Sequence, residues 1–197
     1  MTVQKEAIEM EEVKKSLFPQ SLELKSVAAD LANIKIRFGW LIIIAVLVQS
    51  VPFALSAPSS FVELKKTLLV LSYVLLLWAL SRNLQSWGMR ILLMGTLFNF
   101  VAIVANGSLM PVSPEARLWA GKPALGESGF GKVLPEGTGI LLPIDQTNLW
   151  LLTDIIPINT VHAVLSIGDV LIALGLLIFI VAKAMLPHKI DENQMIT

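Results

Sequence analysis

The amino-acid sequence predicts an all-α fold: a polytopic transmembrane helical protein with about four spanning helices and amphipathic N-terminal and outer-loop segments. Three observations carry that expectation. Charged residues are only 15 % of the chain against 55 % hydrophobic ones, whereas a soluble domain usually carries about 25 % charged residues. The missing charge leaves four long apolar runs, near the ~20 residues a helix needs to cross a bilayer. None of the runs alternates as barrel strands do, and a helix satisfies its own backbone in lipid.

The first run covers residues 38–57, interrupted by Gln49 and Ser50 and with Pro52 near its end. The second covers 67–80 and extends back to Phe61, because Lys65 and Lys66 can snorkel. The third covers 91–105 with Trp87 at its border, and the fourth covers 167–186 with Asp169 and Lys183 near its two ends. The chain then divides into a charged amphipathic segment (1–37), three transmembrane helices (38–105), a long extracytoplasmic loop (106–165), the last helix (166–187) and a tail (188–197). In the first segment Val3, Ala7, Met10 and Leu17, and then Leu24, Ala28, Leu31 and Ile34, fall near helical spacing, a pattern of helices lying on a membrane surface.

Basic residues set the orientation. With the N-terminus inside, Lys25, Lys35, Arg37, Arg82, Arg90, Lys183 and Lys189 face the cytoplasm, and Lys65, Lys66 and Arg117 lie outside. Both termini are therefore expected to be cytoplasmic. In the loop, residues 107–139 read as irregular turns rich in Gly and Pro, with a short helix starting at Ser113-Pro114. Residues 140–165 are apolar again but broken by Asp145, Asp154, Pro157, Asn159 and His162. A short interfacial helix or re-entrant piece is expected there, with Trp119 and Trp150 at headgroup level.

Formal net charge is zero, so nothing points to nucleic acid. With no cysteine, thiolate metal sites, iron–sulfur clusters and cysteine nucleophiles are excluded. No phosphate loop, dinucleotide fingerprint, nucleophile elbow or zinc-protease helix occurs; no cofactor, no metal site and no catalytic set is expected. His162 and His188 fall on opposite faces of the membrane in this topology. The candidate ligand-binding residues are Asn99, Asn106, Ser166 and Asp169, with Asp154 and His162 as secondary candidates. Asp169 has two readings. A carboxylate in a membrane helix is a functional candidate, and Ser166-Ile167-Gly168-Asp169 also matches a capping box. Asn99, deep in the third run, either bonds to Gln49, Thr96 or Ser72 on a neighbouring helix or belongs to a polar cluster in which Asn106 meets Asp169 at the outer face.

Residues 31–40 (Leu-Ala-Asn-Ile-Lys-Ile-Arg-Phe-Gly-Trp), then Gln49, Asn99, Asn106-Gly107, Met110-Pro111-Val112-Ser113-Pro114-Glu115-Ala116, Leu152-Thr153-Asp154-Ile155-Ile156-Pro157 and Ser166-Ile167-Gly168-Asp169 follow in a characteristic order. This order resembles a small family of bacterial polytopic membrane proteins known only as a domain of unknown function, over roughly residues 31–186. The resemblance implies a multi-pass protein of the bacterial inner membrane and supplies no activity. It also implies an additional apolar helix ahead of Leu31, where this chain has the charged stretch 6–25.

Two functions are expected. The first is a non-enzymatic accessory or scaffold component of a membrane complex, with the lipid bilayer and other membrane proteins as partners. The alternative is a small-molecule or lipid binder using the polar cluster at the outer ends of the third and fourth spans. An enzyme using Asp154 and Asp169 as acid and base ranks behind both.

Overall fold

All four apolar runs are helical over most of their described residues, for the reason that made them legible: each is a long stretch of helix-compatible apolar residues. A computed structural model describes residues 36–54, 62–134 and 139–184. The amphipathic N-terminal stretches, the 6–25 segment and His188 lie outside the described residues. Residues 36–179 form one compact unit, which the end of the last helix, 180–184, extends beyond.

Helix α1 is Gly39–Ala54, α2 is Val62–Ser81 and α3 is Trp87–Ala105. A short α4, Pro114–Trp119, follows in the long connection, and the last helix is α5, Ile167–Ala184. Both α2 and α3 are long and apolar enough to cross a membrane. The all-α expectation needs correction, because the connection contains strands. Strands β1 (Met110–Val112) and β2 (Gly139–Leu141) pair in parallel, and β3 (Ile156–Ile158) and β4 (Ala163–Leu165) form an antiparallel pair. No α-helix forms over 140–165. Short 3-10 turns and the β3–β4 hairpin take its place, and Pro157 sits within β3, where it has no N–H to offer a helix.

The 107–165 connection is thus a folded module. Asp154 bridges to Val112 beside β1: its N–H donates to the Pro111 carbonyl at 3.0 Å and its carbonyl accepts the Ser113 N–H at 3.2 Å. Strand β1 therefore lies between β2 and the Asp154 segment. Val112, Leu134 and Leu141 form the module's core, with Phe130 and Val164 against it. A second cluster joins module and helices, where Met110 packs on Leu69, Ala102 and Ile103, with Tyr73 and Leu152 at its edge. Ser113 caps α4 as expected, its Oγ accepting the Ala116 N–H at 3.0 Å with Pro114 in the first turn. The other end of α4 closes in a Schellman arrangement. Gly121, at φ +75°, donates to Leu118, and the Lys122 N–H donates to the Arg117 carbonyl at 3.1 Å.

Helices α3 and α5 pack backbone against backbone. Gly88 faces Gly175 and Gly95 faces Gly168, so the helices are antiparallel with glycines seven residues apart on each. A Cβ on Gly88 would lie 2.6 Å from the Gly175 carbonyl oxygen, and one on Gly95 would lie 2.5 Å from that of Gly168. Only glycine permits this approach, which gains dispersion contacts along the whole line. At the other end of α2, Asn83 pins the start of α1. Its Oδ1 accepts the Arg37 N–H, and its Nδ2 donates to the Arg37 and Ala79 carbonyls, each at 2.8 Å.

Gly95→Ala is expected to destabilise the protein by about 1–3 kcal/mol, the usual range for overpacking. Gly39→Ala, where a Cβ meets nothing closer than Ile36 at 3.6 Å, is the control and is expected to cost little. Thermal melting of both variants in mild detergent checks this, and equal losses would refute the close-packing account.

Candidate functional site

The polar residues of α3 and α5 meet where the two helices touch. Asn99 is 2 % exposed and Ser166 fully buried. Asn99 Nδ2 donates to Asp169 Oδ1 at 2.7 Å, and Ser166 Oγ lies 2.7 Å from Asn99 Oδ1. Ser166 and Asp169 form the capping box. The Asp169 N–H donates to Ser166 Oγ at 2.9 Å, and Asp169 Oδ2 accepts the Ser166 N–H at 2.9 Å. Ser166 Oγ also lies 2.8 Å from Asp169 Oδ2. The hydroxyl has one proton, and donating it to Asn99 Oδ1 leaves every polar atom of the trio with a partner. The close approach at Gly168 is part of this geometry, since a Cβ there would land on the Asn99 carboxamide oxygen.

Asn99 is therefore bonded to Ser166 and Asp169 at the start of α5, not to Gln49, Thr96 or Ser72. Asn106 does not meet Asp169. Its Nδ2 donates to the Ala102 and Asn148 carbonyls at 2.8 and 2.9 Å, and its Oδ1 accepts the Asn148 N–H at 2.9 Å. Asn148 returns the contact, donating to the Ala105 carbonyl at 3.0 Å. Asn106 thus fastens the module to the end of α3.

The two secondary candidates, Asp154 and His162, do share a cavity. It measures about 230 Å³ and is lined by Met110, Val112, Leu134 and Val164 together with Arg117, Lys122, Asp154 and His162. Each polar side chain is placed by local structure. The bridge to β1 places Asp154, the Schellman turn places Lys122, and α4 carries Arg117. Arg117, counted from sequence among the outer basic residues, is 2 % exposed, and its Nε donates to the Pro123 carbonyl at 3.1 Å. His162, at φ 50°, sits over Gly121, with Nδ1 3.0 Å from the Ala120 carbonyl. A carbonyl only accepts, so Nδ1 carries a proton in this contact.

The Asp154 carboxyl has no hydrogen-bond or ion-pair partner within the described residues; there, the one ion pair is Glu63–Lys66 at 2.8 Å. Burial raises its pKa well above the usual carboxylate range, the charge of Asp169 adds to the shift, and the Lys122 ammonium opposes it. The cavity thus offers a carboxyl that holds its proton more tightly than usual, an ammonium, a guanidinium and an imidazole on apolar walls. Sequence reasoning missed Lys122 and the burial of Arg117, because 30 or more residues separate each from Asp154. The Gly121-Lys122 pair after an apolar helical turn was the one local signal.

The chain belongs to a family of unknown function, DUF5317, whose model matches residues 33–181. Neither a curated protein nor a solved structure matches it.

Asn99→Ala is expected to cost about 1–3 kcal/mol by leaving Asp169 Oδ1 without its partner, read as a lower unfolding midpoint in detergent. Asp154 predicts a pH dependence. Its folded pKa exceeds the unfolded value near 3.8, so the folded state holds a proton that the unfolded chain releases. The stability this supplies is complete at low pH and is lost as pH rises through the folded pKa. Asp154→Asn removes the effect, so melting curves from pH 4 to 8 should show the variant gaining on wild type as pH increases.

Proposed function

We propose that the chain is a non-enzymatic, multi-pass protein of the bacterial inner membrane whose outer module binds a small polar ligand in the Asp154 cavity. In this reading four helices span the bilayer and both termini are cytoplasmic. Three helices support it by exposing apolar stripes at helical spacing: Leu64, Leu71, Val74 and Trp78 on α2, Met94, Leu97, Val101 and Val104 on α3, and Val170, Leu174 and Leu177 on α5. Their polar residues Ser72, Thr96 and Asn99 and the glycines lie on the buried faces, among apolar residues such as Leu69, Leu76, Ala102 and Ile103. Water disfavours such a distribution and lipid favours it. The excess of basic residues at the cytoplasmic ends supports the orientation.

The observation that carries the binding reading is the Asp154 carboxyl, without a hydrogen-bond or ion-pair partner among the described residues, at a cavity that also holds Lys122 and His162. An apolar pocket with a few convergent polar groups and a shifted carboxyl is the usual form of a ligand site. Its size suits a ligand of few heavy atoms, with an anionic group for Lys122 and a hydrogen-bonding group for Asp154. The trio of Asn99, Ser166 and Asp169 supports a structural role, because its polar atoms satisfy one another. An accessory role in a larger complex is the second reading, supported by Leu118 and Trp119, both exposed on α4.

Thermal-shift measurements of the detergent-solubilised protein against small carboxylates, phosphates and amino acids test the proposal. A saturable stabilisation, about 2.7 kcal/mol at a hundredfold excess over Kd, is expected for at least one compound and is expected to vanish in Asp154→Asn and Lys122→Ala. No shift across the panel, or an equal shift in both variants, would overturn it.

A further inference from the structure

One stretch of the module leaves the core and exposes three apolar side chains in a row. Leu149, Trp150 and Leu151 are 51, 42 and 53 % exposed, while Leu152, next in sequence, packs against the cluster of Leu69, Ala102, Ile103 and Met110. The stretch has a defined shape. Leu149 adopts a left-handed conformation, φ 51° and ψ 41°, and residues Trp150–Leu152 form a 3-10 turn. The Thr153 hydroxyl closes that turn by donating to the Trp150 carbonyl at 2.7 Å.

Its position is equally defined. The paired Asn106 and Asn148 bonds tie the residue before Leu149 to the last turn of α3, and Leu152 holds the other end against Ala102 and Ile103. The three exposed side chains are therefore held beside the end of α3, the helix whose exposed stripe ends in Val101 and Val104. A left-handed leucine is an uncommon conformation; here it turns the chain sharply between two fixed points and leaves apolar groups outside.

We infer that Leu149, Trp150 and Leu151 insert into the headgroup–acyl boundary of the outer leaflet and seat the module on the bilayer. The inference rests on the multi-pass reading above. The apolar surface continues from the α3 stripe onto this turn, and an indole beside two leucines is the composition that settles at a membrane interface. The occupant is lipid: the turn sits at the depth where a span ends.

The chain has no cysteine, so single-cysteine variants carry one label each. Leu97→Cys, Leu151→Cys and Val161→Cys, the last on the hairpin loop and 68 % exposed, are labelled with an environment-sensitive fluorophore. They are then reconstituted into phosphatidylcholine–phosphatidylglycerol vesicles containing lipids with nitroxides at shallow or deep acyl positions. The expected result is deep quenching at Leu97→Cys, shallow quenching with blue-shifted emission at Leu151→Cys, and water-like emission at Val161→Cys. Quenching at Leu97→Cys with water-like emission at Leu151→Cys overturns the inference and leaves the membrane reading standing. Blue-shifted emission without nitroxide quenching at Leu151→Cys also overturns it, and assigns the turn to a protein contact such as a second copy. No quenching at Leu97→Cys overturns the membrane reading and this inference with it.

Discussion

The backbone contact between α3 and α5 fixes the geometry on which the rest of the unit depends. Two glycine pairs let the helices approach until a carbonyl of one lies where a methyl group of the other would be. At that separation the Asn99 carboxamide reaches across to the capping box of α5. The two features require one another. A larger residue at 95 or 168 moves the helix away and strands the amide, and without the amide the start of α5 lacks a fixed register. In the proposed lipid setting there is no hydrophobic force between apolar helices, so such contacts and buried polar bonds supply the association.

Asparagine does similar work elsewhere in the unit. Asn83 reads both backbone groups of Arg37, and Asn106 reads both backbone groups of Asn148. In each case one side-chain amide pairs with a distant peptide unit much as a neighbouring strand would. This is an economical way to attach an irregular segment to a helix end, where the last carbonyls have no intrahelical partner. The module hangs on such a bond at Asn106 and on the packing of Met110 against the helices, and the β1–Asp154 bridge within it brings the cavity residues together.

The helices were legible in the sequence because each is a long run with one chemical character. The helix starts at Ser113 and Ser166 were legible because capping is local chemistry over four residues. The strands were not, since each has three residues and its partner lies tens of positions away; no period exists over so short a span. Asn99 was recognised as needing a partner, but nothing local says which helix supplies it. The glycine pairs carry a readable signal in their spacing of seven, at 88 and 95 and again at 168 and 175, but nothing local says that the two pairs face one another. For the cavity, the two acid–base groups were picked out singly. Their meeting depends on the β1–Asp154 bridge and the turn at Gly121, which no sequence period encodes.

Strand β4 ends at Leu165 and α5 begins at Ile167, with only Ser166 between them. That residue is fully buried and bonded on several sides, so there is no slack in the joint. The residue that starts α5 thus also anchors the cavity wall, for Ala163 and Val164 lie just ahead of it in β4.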